Sequence, residues 1–348
     1  MRTHRSVSPL LLLGALSASA PAQVIEASFD EPTGDRWMYP FNGTPGTRIF
    51  ASTFSAAEAG PGFDDRDAQF ILSFDTSGQI PPGMEAGDYR IISARVTVVI
   101  DNDEQFRYDP TPDPFVTQLF DTDPAYVPDA DPGRAITIFG TGYRAGWDVF
   151  TWTETTTFGS VAEVDPAQGM RTIFAANFDS QGTAHDISNN VKQRFDPTPL
   201  GVGLTDTVAP GDLVPEGTVF TFELDRCEAG GAGFLQRSLR DGTLNLSISS
   251  MQLATGGKGG GTGDITYPFF KTKENIIALL SGEVPKLELV VRVGSPGNYD
   301  GLGGVDFSDV LAFLSDYGAN DPAADLAPPC GLDFSDVLVF LQAFAEGG

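Results

Sequence analysis

Near the C-terminus, oxygen-bearing side chains recur at a fixed spacing. Asp306-Phe307-Ser308-Asp309-Val310-Leu311-Ala312-Phe313-Leu314 returns 27 positions later as Asp333-Phe334-Ser335-Asp336-Val337-Leu338-Val339-Phe340-Leu341. Acids gathered ahead of a helix can hold a hard cation. A twelve-position calcium loop takes side-chain oxygens at positions 1, 3, 5, 9 and 12, a main-chain carbonyl at 7 and a glycine at 6. With Asp309 at position 12, Asn298 falls at 1, Asp300 at 3, Gly303 at 6 and Asp306 at 9, while Leu302 at 5 offers no side-chain oxygen. In the second copy Asp325, Asp333 and Asp336 fall at 1, 9 and 12, but Ala327 and Pro329 stand at 3 and 5. The spacing points to calcium at the first loop and to a poorer ligand set at the second. The same acids also have a metal-free use: Asp306 can act as an N-cap and Asp309 as the acid of a capping box.

Each loop runs into an amphipathic helix. Val310, Leu311, Phe313, Leu314 and Tyr317 follow the spacing of one helical face, and the second copy keeps the stripe with Phe344 in place of Tyr317. A single helix of this kind cannot bury its stripe, so the two copies are expected to pack face to face. A loop and a helix, twice over, resemble a type I dockerin across roughly residues 296–346, a family of paired half-EF-hands in which Asp commonly closes the loop, as Asp309 and Asp336 do. The resemblance implies calcium as cofactor and a cohesin-like or other cell-surface anchoring protein as partner.

The N-terminus carries Arg2 and Arg5, an apolar run over 10–16, and the small residues Ala20 and Ala22 before Gln23. This pattern reads as a secretory signal peptide over 1–22, so the expected location is extracellular, with attachment to a cell surface through the C-terminal module. No other apolar stretch is long enough to span a bilayer, so no transmembrane segment is expected. The net charge is −26, and the leader would take two positive charges with it. Such a surface repels phosphate backbones and excludes nucleic acid as a partner. Cys227 and Cys330 lie 103 positions apart in a chain read as exported, and either a disulfide or two thiols fits that spacing.

Between these ends, residues 23–294 read as a β-sandwich domain, followed by the module at 295–348. Strand-like runs fall at 68–74, 90–101, 135–139, 148–153, 171–178, 217–225, 243–253 and 286–293, separated by turn-rich gaps. One helix is expected at 233–240, stopped by Gly242. The fold class is mainly β, a jelly-roll-like sandwich with a small helical module. Two stretches resemble the DNRLRE-type sandwich of secreted, carbohydrate-associated bacterial proteins. The first is Arg66-Asp67-Ala68-Gln69-Phe70-Ile71-Leu72-Ser73-Phe74-Asp75 with Ile91-Ile92-Ser93-Ala94-Arg95-Val96 beyond it. The second is Phe269-Phe270-Lys271-Thr272-Lys273-Glu274 leading to Pro285-Lys286-Leu287-Glu288-Leu289, and the middle, about 102–215, departs by long insertions. Lys273 and Glu274 can be read either as a rim salt bridge or as ligand-holding groups.

Chemistry elsewhere is sparse. His185 is the one histidine beyond the leader, too few for a histidine metal cage, and 47 acids leave any glycosidase pair unidentified. Asp109, Asp113, Asp121, Asp123, Asp129 and Asp131 stand among prolines over 109–133, a composition that suits either structural calcium or an ordinary solvated loop. The glycine run at 256–263 reads as a hairpin loop. Trp37, Tyr39, Trp147 and Trp152 could stack on sugar rings, and Trp37 and Trp147, beside charged neighbours, are the expected exposed pair. The functional expectation is a non-catalytic glycan-binding or structural surface protein, with polysaccharide as a ligand. An extracellular polysaccharide-degrading hydrolase or lyase on the same module is the alternative.

Overall fold

The computed structural model describes residues 23–57, 63–159, 171–254, 265–327 and 330–347. The leader at 1–22, the glycine run at 256–263 and Pro329 lie outside them. In chain order the strands are β1 (Gln23–Phe29), β2 (Gly34–Met38), β3 (Phe50–Ser52), β4 (Gln69–Asp75), β5 (Tyr89–Val99), β6 (Ile136–Tyr143), β7 (Ile173–Phe178), β8 (Ala184–Asp186), β9 (Gly201–Val202), β10 (Val219–Glu223), β11 (Thr243–Ser250), β12 (Phe269–Lys271) and β13 (Lys286–Val293). The helices are α1 (Ala229–Asp241), α2 (Ile276–Ser281), α3 (Phe307–Ala319) and α4 (Phe334–Ala345).

The protein is mainly β. One antiparallel sheet runs β1-β13-β5-β10, a larger one β2-β4-β11-β6-β7-β8 with β9 also on β6, and β12 pairs with β3. Alternation along each strand explains the layering, because successive side chains face opposite sides. Val96, Val98, Phe220, Phe222, Leu287, Leu289 and Val291 from the first sheet meet Phe70, Leu72, Phe74, Leu244, Leu246 and Ile248 from the second in one buried cluster. Helix α1 adds Phe234, Leu235 and Leu239 to that cluster. Gly242 ends the helix at φ 76°, a left-handed turn that costs glycine little and leads directly into β11.

The run at 148–153 is not a strand. The Asp148 carboxylate accepts the N–H groups of Phe150 (3.0 Å) and Thr151 (2.9 Å) and the Thr151 hydroxyl (2.7 Å), so a side chain takes the donors a ladder would need. Trp152 nevertheless goes inside, against Met38, Ile71 and Ile173 on the far face of the larger sheet.

Helices α3 and α4 pack face to face as the repeat requires. Phe313 and Phe340, equivalent residues of the two copies, stack with centroids 4.3 Å apart and planes 4° from parallel, and Tyr299 meets both rings edge-on. The stripe divides, however. Val310, Phe313 and Tyr317 turn inward, while Leu311 and Leu314 are exposed. The pair is held against the sandwich: Arg90 donates to the Ala323 carbonyl at 3.0 Å, Arg226 lies 3.2 Å from Asp325, and the Arg292 guanidinium lies 4.0 Å from the Tyr299 ring centroid. Cys227 and Cys330 form a disulfide. Closing a loop of 103 residues restricts the unfolded chain strongly. Reduction, or Cys330→Ser, is expected to lower unfolding free energy by about 2–5 kcal/mol, read as a lower denaturant midpoint; identical midpoints with and without reductant would show that the bridge adds nothing.

Candidate functional site

In the first loop both capping roles are present. Asp306 accepts the Ser308 N–H at 2.7 Å, and Asp309 reaches back to the Asp306 N–H at 2.8 Å while its other oxygen accepts the Asp300 N–H at 2.9 Å. Asp300 closes a local turn onto the Leu302 N–H at 2.8 Å. Asn298 is different: it is fully buried, and neither its amide oxygen nor its amide nitrogen has a hydrogen-bond partner. A buried polar group left unpaired costs on the order of 1–3 kcal/mol. A hard cation would give the Asn298 oxygen a counterpart, while both oxygens of Asp309 and one each of Asp300 and Asp306 already accept N–H groups, and these three acids are not among the converging carboxylate groups of the described residues.

The second loop is filled differently. Asp325 is paired with Arg226 and accepts the Gly331 N–H at 3.2 Å. One oxygen of Asp336 accepts two N–H groups, from Leu326 (2.6 Å) and Ala327 (2.8 Å), and the other accepts that of Asp333 (2.8 Å). Asp333 caps α4 through the Ser335 N–H. Cys330, at the glycine position of the pattern, is in the disulfide. These carboxylates already have partners, as those of the first loop do, with Asp325 additionally paired to a guanidinium.

Trp37 and Trp147 are not brought together as a sugar platform. Both are half-buried, and they lie on opposite faces of the larger sheet, Trp37 with the main core and Trp147 with Ile71 and Trp152. Aromatic faces gather elsewhere. Trp37 stacks on Tyr39 at 4.7 Å, Tyr39 meets Phe41 and Phe54 edge-on, Phe54 touches Tyr267, and Phe269 continues the band to a stack with Phe50 at 4.6 Å. Phe41 is 66% exposed at one end. Apart from Trp37 and Tyr39, these residues carry no sequence signal, because the band forms only when β3 pairs with β12.

Two further acidic clusters appear among the described residues. Asp35 on β2, Glu154 and Glu274 each place a carboxylate oxygen within 4.8 Å of the other two. Lys273 sits among them, donating to Glu154 and, at 2.6 Å, to Glu274, with Asp35 3.6 Å away. The salt-bridge reading of Lys273 and Glu274 therefore describes this geometry, though Asp35 and Glu154 were not legible beside them. Burial, then contact with Glu274, pushes Asp35 up to about 8. Burial alone would lower Lys273, but its bonds to Glu154 and Glu274 outweigh that and hold it above the ordinary range. The second cluster is Asp109, Asp113 and Asp131 in the Asp–Pro segment.

No protein-family model matches the sequence, and no curated protein matches it.

Asp35 sets a pH dependence with a definite sign. An acid raised in the folded state from 3.8 to about 8 contributes stability that is full below about pH 4 and is lost as pH rises toward 8. The melting temperature of Asp35→Asn relative to the native protein is expected to increase between about pH 5 and about pH 9. A difference constant across that interval would show that the carboxyl titrates normally.

Proposed function

We propose that this chain is an exported, non-catalytic protein that holds a glycan-binding or structural β-sandwich at a surface through its C-terminal helical pair, with calcium in the first loop. The observation that carries this reading is a twinned apolar stripe. Phe307, Leu311 and Leu314 on α3, and Phe334, Leu338 and Leu341 on α4, are all exposed, by 46–69%, and correspond one to one across the repeat. Large apolar side chains left facing water in register on two helices suit a surface that a partner covers. A cohesin-like or other cell-surface anchoring protein is the partner this stripe and the loop pattern favour. Calcium held by Asn298, Asp300, Asp306 and Asp309 would fix the entry to α3. In the second loop the disulfide and Arg226 take over that task.

Support for export comes from the leader-like N-terminus and from a disulfide, which persists in oxidising compartments. Support for a glycan ligand comes from the aromatic band, since ring faces pack well against the C–H faces of sugars. The enzyme alternative draws on the carboxylates of Asp35 and Glu274, close enough for a retaining glycosidase pair. Yet the Asp35 side chain is wholly shut from solvent and Lys273 stands between the acids, which favours a structural knot over a reacting pair.

In surface fractionation of the producing cells, the native chain is expected in the envelope fraction and the Leu311→Asp, Leu338→Asp variant in the medium; equal partition would overturn the attachment role. Calorimetry on the mature chain is expected to show a calcium ion that Asp309→Ala abolishes. In affinity electrophoresis through polysaccharide gels, Tyr39→Ala with Phe41→Ala is expected to weaken retention several-fold. Release of reducing ends that Glu274→Gln abolishes would instead favour the hydrolase.

A further inference from the structure

We propose that the Asp–Pro segment of residues 109–134 binds a second divalent cation, calcium by its ligand chemistry, between Asp109, Asp113 and Asp131. The chain there runs out and back, so that acids four to twenty-two positions apart share one place: a carboxylate oxygen from each of the three lies within 4.8 Å of the other two. Asp109 is the floor of the site. It is 97% buried; its Oδ1 accepts the Thr111 N–H at 2.8 Å and hydroxyl at 2.7 Å, and its Oδ2 has no hydrogen-bond partner. A carboxylate oxygen this deeply buried without a counterpart is costly. The return segment lies hard against it. A Cβ on Gly133, at φ 115°, would stand 3.0 Å from the Arg107 carbonyl and 3.1 Å from Asp109, so glycine is what lets the two segments close.

Charge points the same way. Asp109, Asp113, Asp129 and Asp131 face one cation of their own segment, Arg134, which bonds Asp129 and lies 3.2 Å from Asp113. Neighbouring Arg107 is turned to the Gly211 carbonyl at 2.7 Å. Pro110, Pro112, Pro114 and Pro132 fix the backbone around the acids and restrict their freedom to splay apart.

The ligand chemistry selects the ion. All three side-chain donors are carboxylate oxygens, with no histidine or thiolate among them, which favours a hard cation over zinc or copper. Oxygens on opposite sides of calcium stand up to about 4.8 Å apart at roughly 2.4 Å each, whereas magnesium needs near-octahedral ligands at about 2.0–2.1 Å. Calcium accepts the less regular shell that two loop segments offer. A bound ion would also fasten the long insertion to the sandwich, since the Arg134 carbonyl accepts from Gln252, two positions beyond β11, at 3.0 Å.

The test is calcium titration of the full mature chain by calorimetry, comparing the native protein, Asp113→Asn with Asp131→Asn, and Asp309→Ala. The native stoichiometry is expected to drop by one ion in the double variant, and by a different ion in Asp309→Ala. The two sites are thereby counted apart, and failure at one leaves the other standing. An unchanged stoichiometry in the folded double variant would overturn the proposal. Should that variant fail to fold, hydrogen exchange on the native chain decides: calcium is expected to slow exchange over 109–134, and identical exchange with and without calcium would overturn it.

Discussion

Strand β13 is hydrogen-bonded along both edges, to β1 and to β5, and much of the molecule depends on its register. Leu287, Leu289, Val291 and Val293 fall inward and close the core, while Glu288 and Arg292 fall outward. Glu288 finds Arg95 across the sheet at 3.5 Å, an exposed pair worth little. Arg292 lies over Tyr299 and 3.4 Å from Asp316, so the alternation that builds the sheet also delivers a cation to the base of the helical pair. A slip of one residue would turn the apolar set to water and remove Arg292 from Tyr299 in the same step.

With 47 acids against 21 basic residues, the protein must keep carboxylates from repelling one another wherever they are drawn inside. It does so in distinct ways. Backbone N–H groups surround Asp309 and Asp336 at the starts of α3 and α4, where the helix end is positive. Guanidinium groups meet Asp325 and Asp64, the latter through Arg171, itself 1% exposed. An ammonium and a retained proton together settle the group around Asp35. Basic residues at these places serve the interior as well as the surface.

Much of the architecture could be read from the chain. The runs that became β5, β11 and β13 alternate clearly or are rich in branched residues, and Gly242 marks the end of α1 where its turn falls. The strands β1, β2, β3 and β12 were less visible because they are short or carry polar and charged residues, and their place is set by partners far away in sequence. The error at 148–153 has the same physical character: Val, Phe, Thr and Trp suit a strand, but Asp148 captures the N–H groups first. On α3 the spacing allowed two adjoining stripes, and only the stack of Phe313 on Phe340 decides that Phe313 faces in and Leu311 out. Of the candidate sites, the acids of the first C-terminal loop and the Asp–Pro acids were legible as local patterns. Asp35 and Glu154, 119 positions apart, meet only through tertiary folding.

The bridge between Cys227 and Cys330 encloses α1, β11, β12, α2, β13 and α3 within one covalent ring. A protease that cuts the backbone once anywhere inside that ring opens it without releasing either piece. The C-terminal helices would stay tethered to the rest of the protein through sulfur, so a nicked molecule could remain whole in mass and in attachment until a reductant arrived.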